Sequence, residues 1–401
     1  MRLIEKDQYS VTKIKNVRNM NDFVIKYLPD ENEIHEPSPL YVENLKLIII
    51  NIFAQNGISE AEVETFSGIW YSQFKISVLK SISKDLVQDI CDDIETFFVS
   101  KLLRIAVFRK ENGYVQLEIE IPNDEVSIIG LKSILESDAF RSCTGLPIGV
   151  GVTNDDKPFI LDLCDYRETN ILVCGSTGTG SNVFTNVSIL SLLASKTSDE
   201  LKFVFIAKEG SMDVYNDLKK DYFLPIENLT PQVITNPDLS VYALDELSKL
   251  IDERNMLFKH FKVKTIKEFN EKKPELKFPK VVVIINDYDI LFKHSDEKIA
   301  QTIARIARLG HLAGIHVILK TDRPDAKLFP NLIKANFQCH IVFKIPSGII
   351  SKIIIGESGA AKLIGRGDML VKSGDELVRV MCPCTDYSEI KHICEASLSN
   401  S

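Results

Sequence analysis

The chain of 401 residues carries 48 Lys and Arg against 56 Asp and Glu, a formal charge of −8, with 45% hydrophobic and 26% charged residues. These are the figures of ordinary globular material with room for two or three domains, and they exclude a polycation that would hold nucleic acid by bulk charge. Any contact with DNA would have to come from a local basic stripe.

No secretory signal is visible at MRLIEKDQYS, and residues 1–38 are polar, ending in DENEIHEPSP, which reads as a loose leader or a short docking arm. The longest apolar stretch, LKLIIINIFA at 45–54, contains Lys46 and Asn51 and is too short to cross a bilayer. It is expected to be a buried helix, with no membrane contact and a cytoplasmic location. Between 39 and 157 the pattern mixes helices and strands. GIWYSQFKIS (68–77) and GYVQLEIEIP (113–122) alternate as half-buried strands do, SKDLVQDICDDIETFF (83–98) is an amphipathic helix, and LKSILESDAF (131–140) reads as one short helix. An α+β domain follows.

From 158 to 401 the rhythm changes. NILVCG, LKFVFIA, VVVIIND, IHVILKT and CHIVFKI are short, apolar on both faces and rich in β-branched residues, as strands inside a helix-covered parallel sheet are. Helical segments at 242–261 and 297–314 lie between them, so this half is an α/β domain. GSTGTG at 175–180 falls where the first of these strands meets a helix, the place where such folds bind phosphate. Eight cysteines in a chain of this kind default to reduced thiols. The CPC at 382–384, with His392 and Cys394 beyond it, fits structural zinc poorly, and no metal site is expected.

In a phosphate loop of the form G-x-x-x-x-G-K-[ST], backbone N–H groups cradle the phosphates, the lysine neutralises the β/γ oxygens and the hydroxyl binds Mg²⁺. The stretch Gly175, Ser176, Thr177, Gly178, Thr179, Gly180 keeps the glycines of such a cradle. Ser181 stands where the lysine would be and Asn182 where the hydroxyl would be, so a full positive charge is missing.

EVSIIGLKSILESDAF (125–140), LPIGVGVTNDDKPFILDL (146–163), LAGIHVIL (312–319), TDRP (321–324), LIKANFQCHIVF (332–343) and SKIIIGESGAAKLIGRGDML (351–370), in this order, resemble the motor core of the FtsK/SpoIIIE family of DNA translocases from about residue 45 to about 395. The resemblance implies a RecA-like P-loop NTPase domain, with the smaller α+β domain before it. It also implies a hexameric ring around double-stranded DNA and ATP sites between subunits. The family's N-terminal membrane segments and C-terminal winged-helix module have no counterpart in the sequence as given. In VVVIINDYDIL (281–291), Asn286 takes the place of the family's Mg²⁺-holding aspartate, and Asp287 the place of the glutamate that activates water. A base shortened by one methylene is misplaced by roughly 1 Å, which can cost about 100-fold. By the resemblance, His311 stands at the position of the arginine finger offered to the neighbouring site, with Arg305 earlier on the same helix, and such a finger contributes about 10³ to 10⁵ in rate. Asp322 replaces the glutamine expected to sense the γ-phosphate, and Ala207, Lys208 and Glu209 replace an Asp-Pro-Lys.

These changes converge on one pocket, so ATP and Mg²⁺ are expected to bind weakly or not at all, and hydrolysis is expected to be lost. Arg323, Lys327 and Lys334 are the candidate DNA contacts, with the lysines of 259–273 as a second run. The first reading is a hydrolysis-deficient core acting as a homo-hexamer or in a mixed ring with an active family member. The second is an active translocase with an atypical site, which an unexpected lysine or arginine in the pocket would favour. The third is an interaction scaffold that has lost both ATP and DNA.

Overall fold

The computed structural model describes residues 21–30, 32–78, 82–99, 101, 103–109, 114–125, 127–288, 296–322 and 331–399. Arg323, Lys327 and the first 20 residues of the leader lie outside these. Among the described residues the strands form two sheets. The smaller is antiparallel, β1 (Ala61–Ser67), β2 (Tyr71–Val78), β4 (Val115–Pro122) and β3 (Arg104–Arg109) in that spatial order. Two helices cover one face. The first is Pro39–Gln55, begun by the Ser38 hydroxyl accepting from Tyr41 N and by Pro39 in the first turn. The second is Lys84–Phe97, begun by the Ser83 hydroxyl accepting from Leu86 N. Ile49, Phe53, Ile90 and Ile94 from these helices meet Phe74, Ile76, Leu117 and Ile119 from the strands in one core.

The larger sheet runs β6 (Pro158–Asp162), β5 (Pro147–Thr153), β13 (Glu376–Met381), β12 (Asp368–Ser373), β11 (Cys339–Phe343), β7 (Asn170–Cys174), β10 (Ile315–Thr321), β9 (Lys280–Ile285), β8 (Leu201–Ile206). Its five strands from β11 to β8 are parallel, and they are the five apolar runs picked out in the sequence. Helices pack on both faces, with Phe184, Leu190 and Tyr215 in the core on one side, and Leu247, Ile251 and Ile303 in the core on the other. The antiparallel extension from β12 to β6 is an addition that the alternating βα rhythm did not show. The strand at 147–153, grouped with the first half in the sequence reading, belongs to this second sheet, and residue 157 lies in the β5–β6 turn.

One expected helix is two. LKSILESDAF breaks at Ser137, whose ψ of 149° is extended and whose hydroxyl accepts from Phe140 N, so Leu131–Glu136 ends and Asp138–Ser142 begins there. Serine competes well for a cap position and poorly for a helix interior. The end of the leader is docked: Phe23 and Val24 are buried, and Asn21 Nδ2 donates to Leu193 O and Lys196 O at 2.5 and 2.8 Å.

The two sheets meet at buried polar groups. Asn154, in the β5–β6 turn, accepts from Trp70 N and Tyr71 N and donates to Tyr71 O. Beside it, Glu120 of β4 takes Arg104 at 2.7 Å and Arg379 of β13 on its two oxygens. Arg379 also grips Asp368 of β12 with two bonds at 2.9 and 2.7 Å and stacks 4.4 Å over the Tyr71 ring.

Candidate phosphate-loop site

The strand order sets the site. The chain leaves β7, crosses to β8, returns through β9 to β10 beside β7, and then places β11 on the other side of β7. Such a switch point opens a crevice at the carboxyl ends of the strands. The turn 175–180, Thr321–Asp322 and Asn286–Asp287 all lie at that edge.

The turn is held from both sides. Ser176 N donates to Lys344 O at 3.0 Å, Thr179 N and Oγ1 close onto Ser176 O at 3.1 and 2.6 Å, and Gly367 N donates to Thr179 O at 2.9 Å. Gly178 and Gly180 have φ of 82° and 120°, and a Cβ on Gly180 would lie 2.9 Å from the Gly367 backbone. Gly180→Ala is therefore expected to cost about 2 kcal/mol or more, from the left-handed φ and the close backbone together, read by urea denaturation. A helix follows, Ser181–Ser195, buried almost all round. The N–H groups of Gly180, Ser181 and Asn182 have no acceptor among the described residues. They are free donors at a positive helix end, which suits a phosphate.

The charged groups are arranged otherwise. Ser181 is buried and its hydroxyl donates to Asp322 Oδ1 at 3.3 Å. The same oxygen takes Lys320 Nζ at 2.9 Å. Lys320, on β10, is 1% exposed and lies 3.4 Å from Asn286 O. Its presence in the pocket went unread in the sequence, although a lysine in the mostly apolar IHVILKT was the available signal. Asn286 is buried, and its Oδ1 has no partner among the described residues. Asp287 Oδ2 accepts from Lys208 N at 3.1 Å and from Ser211 Oγ at 2.9 Å, so the turn after β8 holds one of its two oxygens. Asn182 is exposed at the rim. The cradle thus fits phosphate through backbone alone. The side chains do not fit a Mg²⁺-bound triphosphate with an activated water: the metal would find two amides, and Asp287 and Asp322 each have one oxygen already bonded within the chain.

His311 is not at this edge. It lies in the turn 310–313 before β10, at the opposite end of the sheet, and lines a cavity of about 610 Å³ with Lys196, Phe278 and Lys280. Burial holds its imidazole below the ordinary value against a backbone bond at Arg308 that raises it. Arg305 is tied within the chain to Asp252 at 2.7 Å and to Ser248 O at 3.1 Å. Lys334 ends the short helix Asn331–Lys334 and is half-buried. In the 259–273 run, Lys272 donates to Phe261 O and Lys273 sits over the Phe261 ring, so these two lysines serve local packing.

Residues 130–326 match the family model described as FtsK/SpoIIIE family. The chain is 33% identical over 338 residues to the DNA translocase FtsK of Helicobacter pylori (strain ATCC 700392 / 26695), covering 82% of this chain and 38% of that protein. It is 30% identical over 372 residues to the DNA translocase FtsK of Chlorobaculum tepidum, covering 91% of this chain and 45% of that protein. It therefore spans less than half the length of these relatives. Among solved structures, the pCW3 conjugation coupling protein TcpA matches with a TM-score of 0.56 at 18% identity, over 86% of this chain and 97% of that one. The cytoplasmic domain of the Thermomonospora curvata type VII secretion ATPase EccC matches with 0.54 at 18% identity, over 63% and 31%. These likenesses show the fold, that of a P-loop ATPase. No helix among the described residues is long and apolar enough to cross a membrane.

Proposed function

We propose, on the premise that through residues 130–326 this chain belongs to the FtsK/SpoIIIE family, that it is a double-stranded-DNA translocase motor core with a hydrolysis-deficient nucleotide site. It binds ATP and Mg²⁺ weakly or not at all. It works in the cytoplasm as a homo-hexameric ring or as a subunit of a mixed ring beside an active family member, with Arg323, Lys327 and Lys334 facing DNA. The observation that supports this most is the Ser181–Asp322–Lys320 chain of bonds: where the loop would offer a cation, it offers a hydroxyl already bonded to a carboxylate. Asp287 adds to it, because Lys208 N and Ser211 Oγ bond its Oδ2 and hold the carboxylate against the turn after β8.

Lys320 is also the one observation that favours the second reading, an active translocase with an atypical site, since it brings a cation into the pocket. Its pairing with Asp322 weighs against that reading, because the charge is already neutralised. The test is ATP turnover by the purified chain with and without linear double-stranded DNA. Turnover below detection in both conditions is expected. DNA-stimulated hydrolysis faster than about one per second, within the usual enzyme range, would overturn the proposal in favour of the active reading.

A further inference from the structure

We propose that Asp322 is a built-in occupant of the phosphate pocket, and that Lys320 is the cation a nucleoside triphosphate would claim if Asp322 gave it up. The inference rests on the nucleotide-pocket reading above and gives that site a regulation of its own.

Three observations carry it. Asp322 Oδ1 accepts from both the hydroxyl at the loop's lysine position and the Lys320 ammonium, at 3.3 and 2.9 Å. An oxyanion bridging the first turn of the loop helix and a buried cation does there what a phosphate oxygen would do. Lys320 comes from β10, the strand between the loop strand β7 and β9, so its amino group reaches the same crevice edge from a different element than the one that carries Ser181. At 1% exposure an ammonium needs an anion, and Asp322 supplies it. Around them the N–H groups of 180–182 are unused donors that suit a polyanion, and Asn286 Oδ1, an acceptor buried without a partner among the described residues, is left for a donor rather than for the phosphate itself.

The charge count decides the resting state. Lys320 and Asp322 sum to zero, so a polyanion entering the pocket meets the loop amides with no net positive charge beyond them. Removing the carboxylate leaves one unmatched cation beside the cradle, and a polyphosphate is the ligand class that would match it.

The experiment is calorimetric titration of the full chain with ATPγS and with ADP. Asp322→Asn is expected to tighten ATPγS binding by about tenfold or more over the unaltered chain, the scale of one neighbouring charge in a partly buried site. ADP, lacking the third phosphate, should gain less. Adding Lys320→Met to Asp322→Asn should return the affinity to that of the unaltered chain. Equal ATPγS affinity in Asp322→Asn and the unaltered chain would overturn the proposal, as would equal affinity with and without Lys320→Met. Asp322→Gln serves as a second carboxylate-free variant if the first does not fold. The unaltered chain provides a test without any variant: ATPγS binding tighter than about 10 µM, about 7 kcal/mol, would show that the carboxylate does not close the pocket. Affinity for ATPγS is read independently of turnover, so hydrolysis by the unaltered chain would sink the proposed function and leave this comparison standing.

Discussion

Arg379→Met is expected to lower the unfolding free energy by about 3 kcal/mol, the lower end of what breaking a buried ion pair costs. The low end applies to Glu120, because Arg104 remains on its second oxygen at 2.7 Å when Arg379 is gone. Asp368 fares worse. Arg379 is the cation bonded to both its oxygens, and what remains is Ile364 N at 2.8 Å on a side chain that is 2% exposed. Adding Asp368→Asn to Arg379→Met should recover part of the loss, since the uncompensated charge is then removed. The same guanidinium joins β4 of the small sheet to β12 and β13 of the large one, so loss of a single cooperative transition is expected along with the drop in stability. Urea denaturation followed by the fluorescence of Trp70, which lies next to this junction, reads both. A loss under about 1 kcal/mol with one unchanged transition would mean that the cluster does not hold the sheets together.

Acidification should destabilise the fold through His316. Its imidazole sits inside the large sheet with Nδ1 3.0 Å from Thr169 O, and burial, with Lys280 and His311 nearby, lowers its pKa to about 4 against the pull of that backbone bond and of Asp162. An unfolded histidine titrates near 6.5. Between these values the unfolded chain binds a proton that the folded chain refuses, so stability is full above pH 6.5 and is lost as pH falls toward 4. The loss totals about 3 kcal/mol for this one group. His340, buried between Phe337 O and Ile354 O with its pKa also lowered by burial, adds in the same direction. Glu168, raised by burial, contributes with the opposite sign at the acid end. Urea midpoints at pH 7, 5.5 and 4.5 for the unaltered chain and for His316→Gln isolate the effect. The variant should lose most of the slope across this window, and an unchanged slope would assign it to other groups.

Much of this was legible in the chain itself. The five parallel strands could be read because each is apolar on both faces, a pattern that only a helix-covered sheet requires, and the loop could be read because three glycines sit between such a strand and a helix. Ser181, Asn182, Asn286, Asp287 and Asp322 were read as replacements because each falls inside a stretch that resembles a motif, and that reading belongs to the proposal. The antiparallel strands β12, β13, β5 and β6 were less visible, because their pairing partners are distant in sequence and alternation does not say which sheet a strand joins. The split of 131–140 turned on one serine choosing a cap over a helix interior. Arg323 and Lys327 belong to the sequence reading alone.

What the tertiary structure decided is where the charges ended up. In the sequence reading, a serine at 181 in place of a lysine and a carboxylate at 322 are a double handicap for an anion. In the fold, a lysine two residues before that carboxylate is buried against it, and the hydroxyl at 181 bonds the same oxygen. Residue types fix which charges a chain owns. Their net effect depends on distances of a few ångströms between strands that are neighbours only after folding, because Coulomb energy and desolvation both turn on separation and burial.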